Sequence, residues 1–525
     1  MHRSVDNIAI VGGGSAGWLC ATYLAKHFQS NQPGAVQISL IESEDVGTIG
    51  VGEGTMPSIR KILRFLDIDE KAFMKATSAT FKQAIRFDDW LHLPTQNSRS
   101  SFYHTFQIPV AVKGESIAPY WIMSKEKHGK NYVDYATSQG QVCEAGLGPF
   151  ISGFQPQTNA LNYAYHLDVS QFGSFLKDLG TQFGVQHRIG HVTNVVMSTN
   201  GNIDHLEVRD QEILAADLFI DCTGFTALLI EKKLGSLFLD QSSVLFCDRA
   251  LTIKIPYEHP NAPVRPFTTS TAKANGWIWD IGLNHRRGIG YVYSSKYSDE
   301  NEAQEVLMDY VGEAGQNLST RTVPMRVGYR ETPWVKNCIA IGLSAGFLEP
   351  LEATGIHQVE VSVSRLAKIF SRHGDLEYMS QQFNRYMTEW FKLVFDFIKM
   401  HYCLNRRNDT DFWIDNRNPE TISDRLSHQL EMWRTRPTNQ TDLGQGRPTF
   451  GHASYHQILF GLDFIPDLTG EDFIYPFKKL ADFRSSQIEN RVSQELQSLP
   501  SHRDLINSIY ASATNVRHQD MMDSE

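Results

Sequence analysis

The most chemically loaded stretch of the chain is Phe347-Leu348-Glu349-Pro350-Leu351-Glu352-Ala353-Thr354-Gly355-Ile356. Pro350 biases Glu349 away from helical dihedrals. Ile356, Val359, Val363, Leu366, Ile369 and Phe370 follow at helical spacing, which predicts a bent loop feeding a helix that starts near Thr354. The first amides of a helix lack intrahelical partners and carry partial positive charge. Thr354 and Gly355 are therefore candidates to hold a small anion or the electron-rich edge of a cofactor. Glu352 beside them is either a cap or a catalytic carboxylate, and on residue type alone capping is the commoner role. A second candidate is Lys82. In Thr80-Phe81-Lys82-Gln83-Ala84-Ile85-Arg86-Phe87 a strand puts Phe81, Ile85 and Phe87 on one face and Lys82 on the less apolar one, where lone lysines are mostly solvated. His104 and Phe106 lie two apart, so a strand turns both rings to one side, to grip a flat aromatic molecule or to form core.

These groups need a frame, and the first hundred residues supply one. Asn7-Ile8-Ala9-Ile10-Val11 reads as a strand, Gly12-Gly13-Gly14-Ser15-Ala16-Gly17 as a glycine turn, and Trp18, Leu19, Ala21, Leu24 and Ala25 as a helix. Such a turn brings the backbone close to a pyrophosphate resting on the helix N-terminus. A second strand, Val36 to Ile41, ends at Glu42, where an acid binds a ribose hydroxyl and disfavours a 2′-phosphate. The segment Gly47 to Pro57, with glycines at 47, 50, 52 and 54, reads as a loop that covers a ligand or connects flexibly. Tyr163 to Asp168 is expected to open a helix running through Phe172, Phe175 and Leu176. Val192–Val196 and Ile203–Val208 read as antiparallel strands, and Ala216 to Phe225 as a buried strand returning to the nucleotide domain. A β-rich segment spans about Val244 to Val323, with Trp277 and Trp279 at period two forming an aromatic wall. Asn337 to Leu343 is another buried strand, and the chain from about Asp375 is helical. Glycine and proline mark 436–448 as linker, and the polar tail from Arg517 is expected to fray. No internal repeat is evident.

Length and composition narrow the class. At 525 residues several interlocked domains are expected, and 41% hydrophobic with 21% charged residues is ordinary for a soluble enzyme. A net charge of −10 argues against a general binder of nucleic acid or anionic membrane, and no apolar run approaches a membrane span. Six scattered cysteines without a CxxC pair fit a reduced, cytoplasmic protein with no zinc site or disulfide framework. No signal peptide fits ahead of a fingerprint that begins at residue 12.

With the fingerprint, Gly52-Glu53-Gly54-Thr55, Lys82, Trp277-x-Trp279 and Glu352-Ala353-Thr354-Gly355 in this order, the chain resembles the flavin-dependent halogenases of the tryptophan halogenase group over nearly its whole length, least after about residue 430. The resemblance implies an α/β fold: an FAD-binding, Rossmann-like domain of the p-hydroxybenzoate hydroxylase type, an inserted β-rich substrate region and a largely helical C-terminal region. It divides the chain into FAD-binding parts at 1–90, 186–235 and 331–372, the last with the halide site. A substrate-side insertion would occupy 91–185, the Trp-x-Trp region 236–330 and a substrate-covering region 373–525. In such enzymes reduced FAD and O2 form a flavin hydroperoxide. A chloride or bromide ion then yields hypohalous acid, which a lysine carries or orients toward an electron-rich arene.

Carried over by motif, the resemblance makes Lys82 that lysine and Glu352 the assisting glutamate, able to take the proton from the substituted arene, with the halide at Thr354 and Gly355. FAD contacts would be Gly12, Gly14, Ser15, Ala16, Gly17 and Glu42 in the fingerprint, with Glu53, Gly54, Val192, Leu343 and Ile356 beyond it. His104, Phe106, Trp277 and Trp279 would face the substrate. A separate reductase supplying FADH2 is expected, since no second dinucleotide fingerprint exists; a homodimer stays open. The departures are two. Gly282 stands where the family's tryptophan element has proline, implying a looser loop, and Phe450 to Gln457 contains no tryptophan and offers no amino-acid clamp at Ala453 or its neighbours. Indole or another small arene is thus the expected substrate ahead of free tryptophan. The competing readings are a flavin monooxygenase of related fold and a non-catalytic flavin-binding protein.

Overall fold

The β-branched run Asn7–Val11 lies near the middle of a six-stranded sheet in a computed structural model that describes residues 4–45, 52–95, 100–151, 161–210, 213–444 and 448–512. Its order is 186–189, 37–42, 7–11, 218–221, 338–340 and 334–335, parallel except for the last strand. The Ser15–Phe28 helix packs on one face, with the Val169–Gln182 and Thr354–Ile369 helices against it, and the Val192–Met197 and Ile203–Val208 strands pack on the other, so Leu218–Asp221 and Cys338–Ala340 are buried throughout, as parallel strands covered on both faces must be. One sheet thus joins segments from residue 7 to residue 340. The strands expected near 192–196, 203–208, 216–225 and 337–343 are all present.

A seven-stranded sheet runs in the order 321–324, 249–256, 286–293, 276–282, 267–273, 84–88 and 101–105. The β-rich reading of this region holds with one exception, the Glu300–Val311 helix. Its signal is a capping box: Asp299 accepts from the amides of Asn301 (2.8 Å) and Glu302 (3.0 Å), and the Glu302 carboxylate accepts from the Asp299 amide (3.2 Å).

Two further expectations are corrected. Ala164–Asp168 is a strand, buried along its length between Gly52–Gly54 and Thr80–Lys82; the helix begins only at Val169, capped by the Asp168 carboxylate. Pairing on both edges outweighs the local helical pattern. The run 80–87 is two strands broken at Gln83, whose amide donates to Pro266 and whose carbonyl accepts from Phe106. Thr80–Lys82 turns into the small sheet, while Ala84–Asp88 joins the large one.

The C-terminal third is helical as expected, with Leu376–Cys403, His452–Gly461 and His502–Ala511 closing over the site. His502 donates from Nδ1 to the Val264 carbonyl (2.9 Å), and its Nε2 accepts the Phe81 amide (3.1 Å), 421 residues away in sequence and one residue before Lys82. Burial holds its imidazolium form down to about 4. Residues 47–51 of the Gly47–Pro57 loop, part of the 436–448 linker and the tail from Arg517 lie outside the described residues.

Candidate active site

The fingerprint folds because Gly12 and Gly17 are obligatory. Gly12 has φ +112°, and a Cβ there would stand 2.3 Å from the Cys222 carbonyl oxygen; a Cβ on Gly17 would meet the Gly12 oxygen at 1.8 Å. The Ser15–Phe28 helix starts without a side-chain cap, leaving its first amides open toward a cavity of about 840 Å³. Gly12, Gly14, Ser15, Ala16, Glu42, Glu53, Gly54, Val192, Leu343, Gly355 and Ile356 all line it, and Lys82 and Trp279 stand in its wall. Gly17 lies beneath the turn. Glu42 sits at the end of its strand, accepting from His187 Nε2 (2.7 Å) and Lys177 Nζ (3.2 Å). The uncapped helix start, the bare glycine cradle and an acid at the second strand end fit a flavin adenine dinucleotide, with pyrophosphate on the amides and ribose at Glu42.

The opposite rim of the cavity is shaped by Asp221, a residue to which sequence reading gives no role. One carboxylate oxygen accepts from the Thr223 amide and hydroxyl (2.9 and 2.7 Å), the other from the Leu229 and Ile230 amides (2.8 and 2.9 Å). This sets the Cys222-Thr223-Gly224 turn against the Gly12 turn. Gly12→Ala forces a left-handed alanine into the Cys222 carbonyl. We expect it to cost about 2 kcal/mol or more and to abolish saturable FAD binding, measured by thermal melting and flavin fluorescence titration.

Lys82 is not solvated: it is 1% exposed, because the break at Gln83 turns its strand into the small buried sheet. Its Nζ lies 3.1 Å from where a Cβ on Gly54 would stand and 5.4 Å from the centre of the Phe106 ring. Burial pulls the ammonium down to about 8, against the upward pull of the Glu352 charge. Glu352 does not cap the Thr354–Ile369 helix. The N-cap is Ala353, in a left-handed conformation (φ 56°) and without a side-chain bond. Instead the buried Glu352 carboxylate meets His104 Nδ1 at 2.9 and 3.0 Å and His401 Nε2 at 3.0 Å. His401 Nδ1 faces the Phe397 carbonyl at 2.9 Å, so each nitrogen of that ring has an oxygen partner. Burial favours the neutral carboxyl of Glu352, but the His104 and His401 contacts overcome it and hold the group at about 2.

Three residues upstream, Glu349 has the opposite fate. Burial raises it to about 7, although Tyr402 and Trp277 Nε1 (3.3 Å) donate to it. Two carboxyls in one short loop are thus pushed in opposite directions by their surroundings. Trp277 and Trp279 share one strand face with centroids 6.3 Å apart, but only Trp279 reaches the cavity. Gly282 does not loosen them: it pairs with Arg287 inside the strand, and a Cβ there would strike Val264 (2.7 Å) and the Tyr257 hydroxyl (2.8 Å). His104 and Phe106 both belong to the Lys82–Glu352 side, one as carboxylate partner and the other as a ring beside the ammonium. Sequence reading missed His401 and Glu349 as well as Asp221. Only Glu349, beside Pro350, carried a visible signal.

A dinucleotide-sized cavity with a glycine turn at one end and a buried lysine in its wall is that of a flavin-dependent enzyme. The family model for tryptophan halogenase matches residues 7–471, and the chain belongs to that family of flavin-dependent halogenating enzymes. The structure of a tryptophan halogenase from Shewanella frigidimarina superposes with a TM-score of 0.93 at 36% identity, covering 97% of this chain and 98% of that one. Tryptophan 6-halogenase SttH of Streptomyces toxytricini is 32% identical over 485 residues, 87% of this chain and 90% of its own. Tryptophan 7-halogenase RebH of Lentzea aerocolonigenes is 31% identical over 534 residues, 96% and 99% respectively. Among the described residues no helix is long and apolar enough to cross a membrane, and all six cysteines are free thiols.

Proposed function

We propose that the protein chlorinates or brominates an electron-rich arene of indole type, using FADH2 from a separate reductase, O2 and a halide, with Lys82 relaying hypohalous acid. The observation that carries this reading is Lys82 itself, a buried amine in the wall of the flavin-sized cavity and within the field of Glu352. Bound reduced flavin with O2 supplies the two-electron oxidation that converts halide to hypohalous acid. The halide waits at the Thr354 and Gly355 amides, beside a Thr354 hydroxyl that is buried without a partner among the described residues. Trp279 and Ile281 keep that chamber apolar, so the oxidant is not dispersed into water. With its proton leaving near pH 8, Lys82 has both forms available: the ammonium polarises hypohalous acid by hydrogen bonding, and the amine captures the halogen. A carboxylate held at about 2 is a weak base, so Glu352 serves chiefly to stabilise the cationic arene and fix the lysine, and takes the arene proton only after that charge has built up.

The late segment supports indole over free tryptophan. Gln457 spends its amide oxygen on the Thr105 amide (2.7 Å) and hydroxyl (3.0 Å), His456 Nε2 donates to the Thr438 carbonyl (2.8 Å), and Phe450 stacks on Phe397 at 3.8 Å. These groups are thereby committed to the fold and not to an amino-acid headgroup. Mass spectrometry of reactions with reductase, FAD, O2, bromide and either indole or tryptophan should show the halogen isotope pattern chiefly on indole. Efficient tryptophan halogenation with untouched indole refutes the substrate class, and a hydroxylated product refutes the halogen transfer.

A further inference from the structure

Glu53 occupies the middle of the Gly52–Gly54 strand, paired with Leu167. Its side chain borders the cavity, and Oε2 lies 3.8 Å from the point where a Cβ on Gly355 would stand. Gly355 lines the same cavity in the first turn of the 16-residue Thr354–Ile369 helix, beside the 1%-exposed, unpartnered Thr354 hydroxyl. Among the described residues no hydrogen bond or ion pair ties the Glu53 carboxyl down. A loose carboxyl therefore stands next to the amides that the proposed function gives to the halide. We propose that Glu53 is a proton-operated selector of that site: its neutral carboxyl admits the halide, and its carboxylate shuts it out. The proposal rests on the assignment of Thr354 and Gly355 to the halide and gives Glu53 a task beyond touching the flavin.

The neighbouring charges are engaged elsewhere. Asp168 pairs with Arg286 (2.7 Å), Glu352 with His104 and His401, and Glu360, on the same helix as Gly355, accepts from Ser58 (2.6 Å). His166 on the adjoining strand and Lys82 on the strand beyond it stand over Gly54, and His166 is bonded to Thr268 (2.8 Å). None of them sets the state of Glu53: burial alone raises it to about 7. Like charges in a low-dielectric cavity exclude one another. Halide affinity is therefore level below about pH 7 and falls about tenfold per pH unit above it, one proton being taken up with each halide.

The test is chloride-35 NMR line broadening by the full-length chain, with and without oxidised FAD, between about pH 6 and about pH 8, below the point where Lys82 gives up its proton. Wild type should lose about tenfold in affinity per unit above neutrality, whereas Glu53→Gln should bind chloride equally well across the range. A slope that persists in Glu53→Gln overturns the proposal, as does complete loss of chloride in a variant whose FAD titration is normal. Glu53→Asp keeps an ionisable carboxyl and must keep the slope; a flat profile there counts equally against Glu53. Thr354→Val reads the underlying assignment separately, since it should weaken chloride at every pH with the slope retained. Unchanged chloride binding in that variant removes the halide from Thr354 and Gly355, whatever Glu53 does.

Discussion

Lys82→Ala is expected to lower arene halogenation by about 10³-fold or more while FAD affinity stays within about twofold of wild type. The asymmetry follows from geometry. Lys82 contributes one polar tip to a cavity wall whose dinucleotide contacts come from the glycine turn, Glu42 and the Val192 and Leu343 segments. Flavin oxidation with release of peroxide should continue in the variant, so mass spectrometry of the arene must be read beside oxygen consumption. Loss of flavin binding in step with halogenation would return Lys82 to a structural role. A second arm uses stability. The folded chain releases the Lys82 proton near pH 8 and the unfolded chain at the ordinary lysine value of 10.5. Below pH 8 both states carry the charge and only the folded one bears the burial penalty; between 8 and 10.5 the folded chain is already neutral, and wild type gains stability as pH rises. Lys82→Met should therefore melt higher than wild type at neutral pH, by on the order of 2 kcal/mol, and the advantage should shrink toward pH 10.5. An inactive variant that is more stable than its parent marks a site held against the preference of the fold.

Glu352→Gln should reduce halogenation by about 10²-fold with flavin binding intact, because Glu352 stands outside the cavity lining. The amide offers one acceptor oxygen where the carboxylate serves His104 and His401 together, and the charge that favours the Lys82 ammonium disappears. The lysine should then titrate below about 8, seen as an acid-shifted pH profile of residual turnover. Sign can also be checked in melting curves. A carboxyl depressed from 4.5 to about 2 adds stability that is complete above pH 4.5 and disappears as pH falls through the folded value. The melting difference between wild type and Glu352→Gln should narrow below pH 4.5. Wild-type turnover in the variant would leave Glu352 only its histidine contacts.

How much of this can be read from sequence depends on how local the determinant is. The glycine turn is legible because the left-handed φ of Gly12 and the approach of Gly17 to the Gly12 oxygen are demanded within a few residues. The helix start at Thr354 is legible for the same reason. Lys82 misleads, since its burial is decided at Gln83, by a backbone bond to Pro266 and by pairing with Ala164, none of which leaves a mark on residues 80–87. Glu352 reads as a cap because its histidines stand 248 and 49 residues away. The helix expected at Tyr163 is overruled by strands on both sides, again a tertiary decision.

The His502 contact places Lys82 at the mercy of chain order. The lysine is made early, yet the imidazole that receives the amide of its neighbour Phe81 is made 421 residues later. At ribosomal speeds of about 5–20 residues per second, that interval lasts roughly 20 to 80 s. The sheet around the glycine turn needs nothing beyond residue 340, whereas the strand that aims the amine cannot be locked until His502 is made. The strand that aims the Lys82 amine is therefore among the last parts of the wall to be completed, since its lock is made only with residues 502–511.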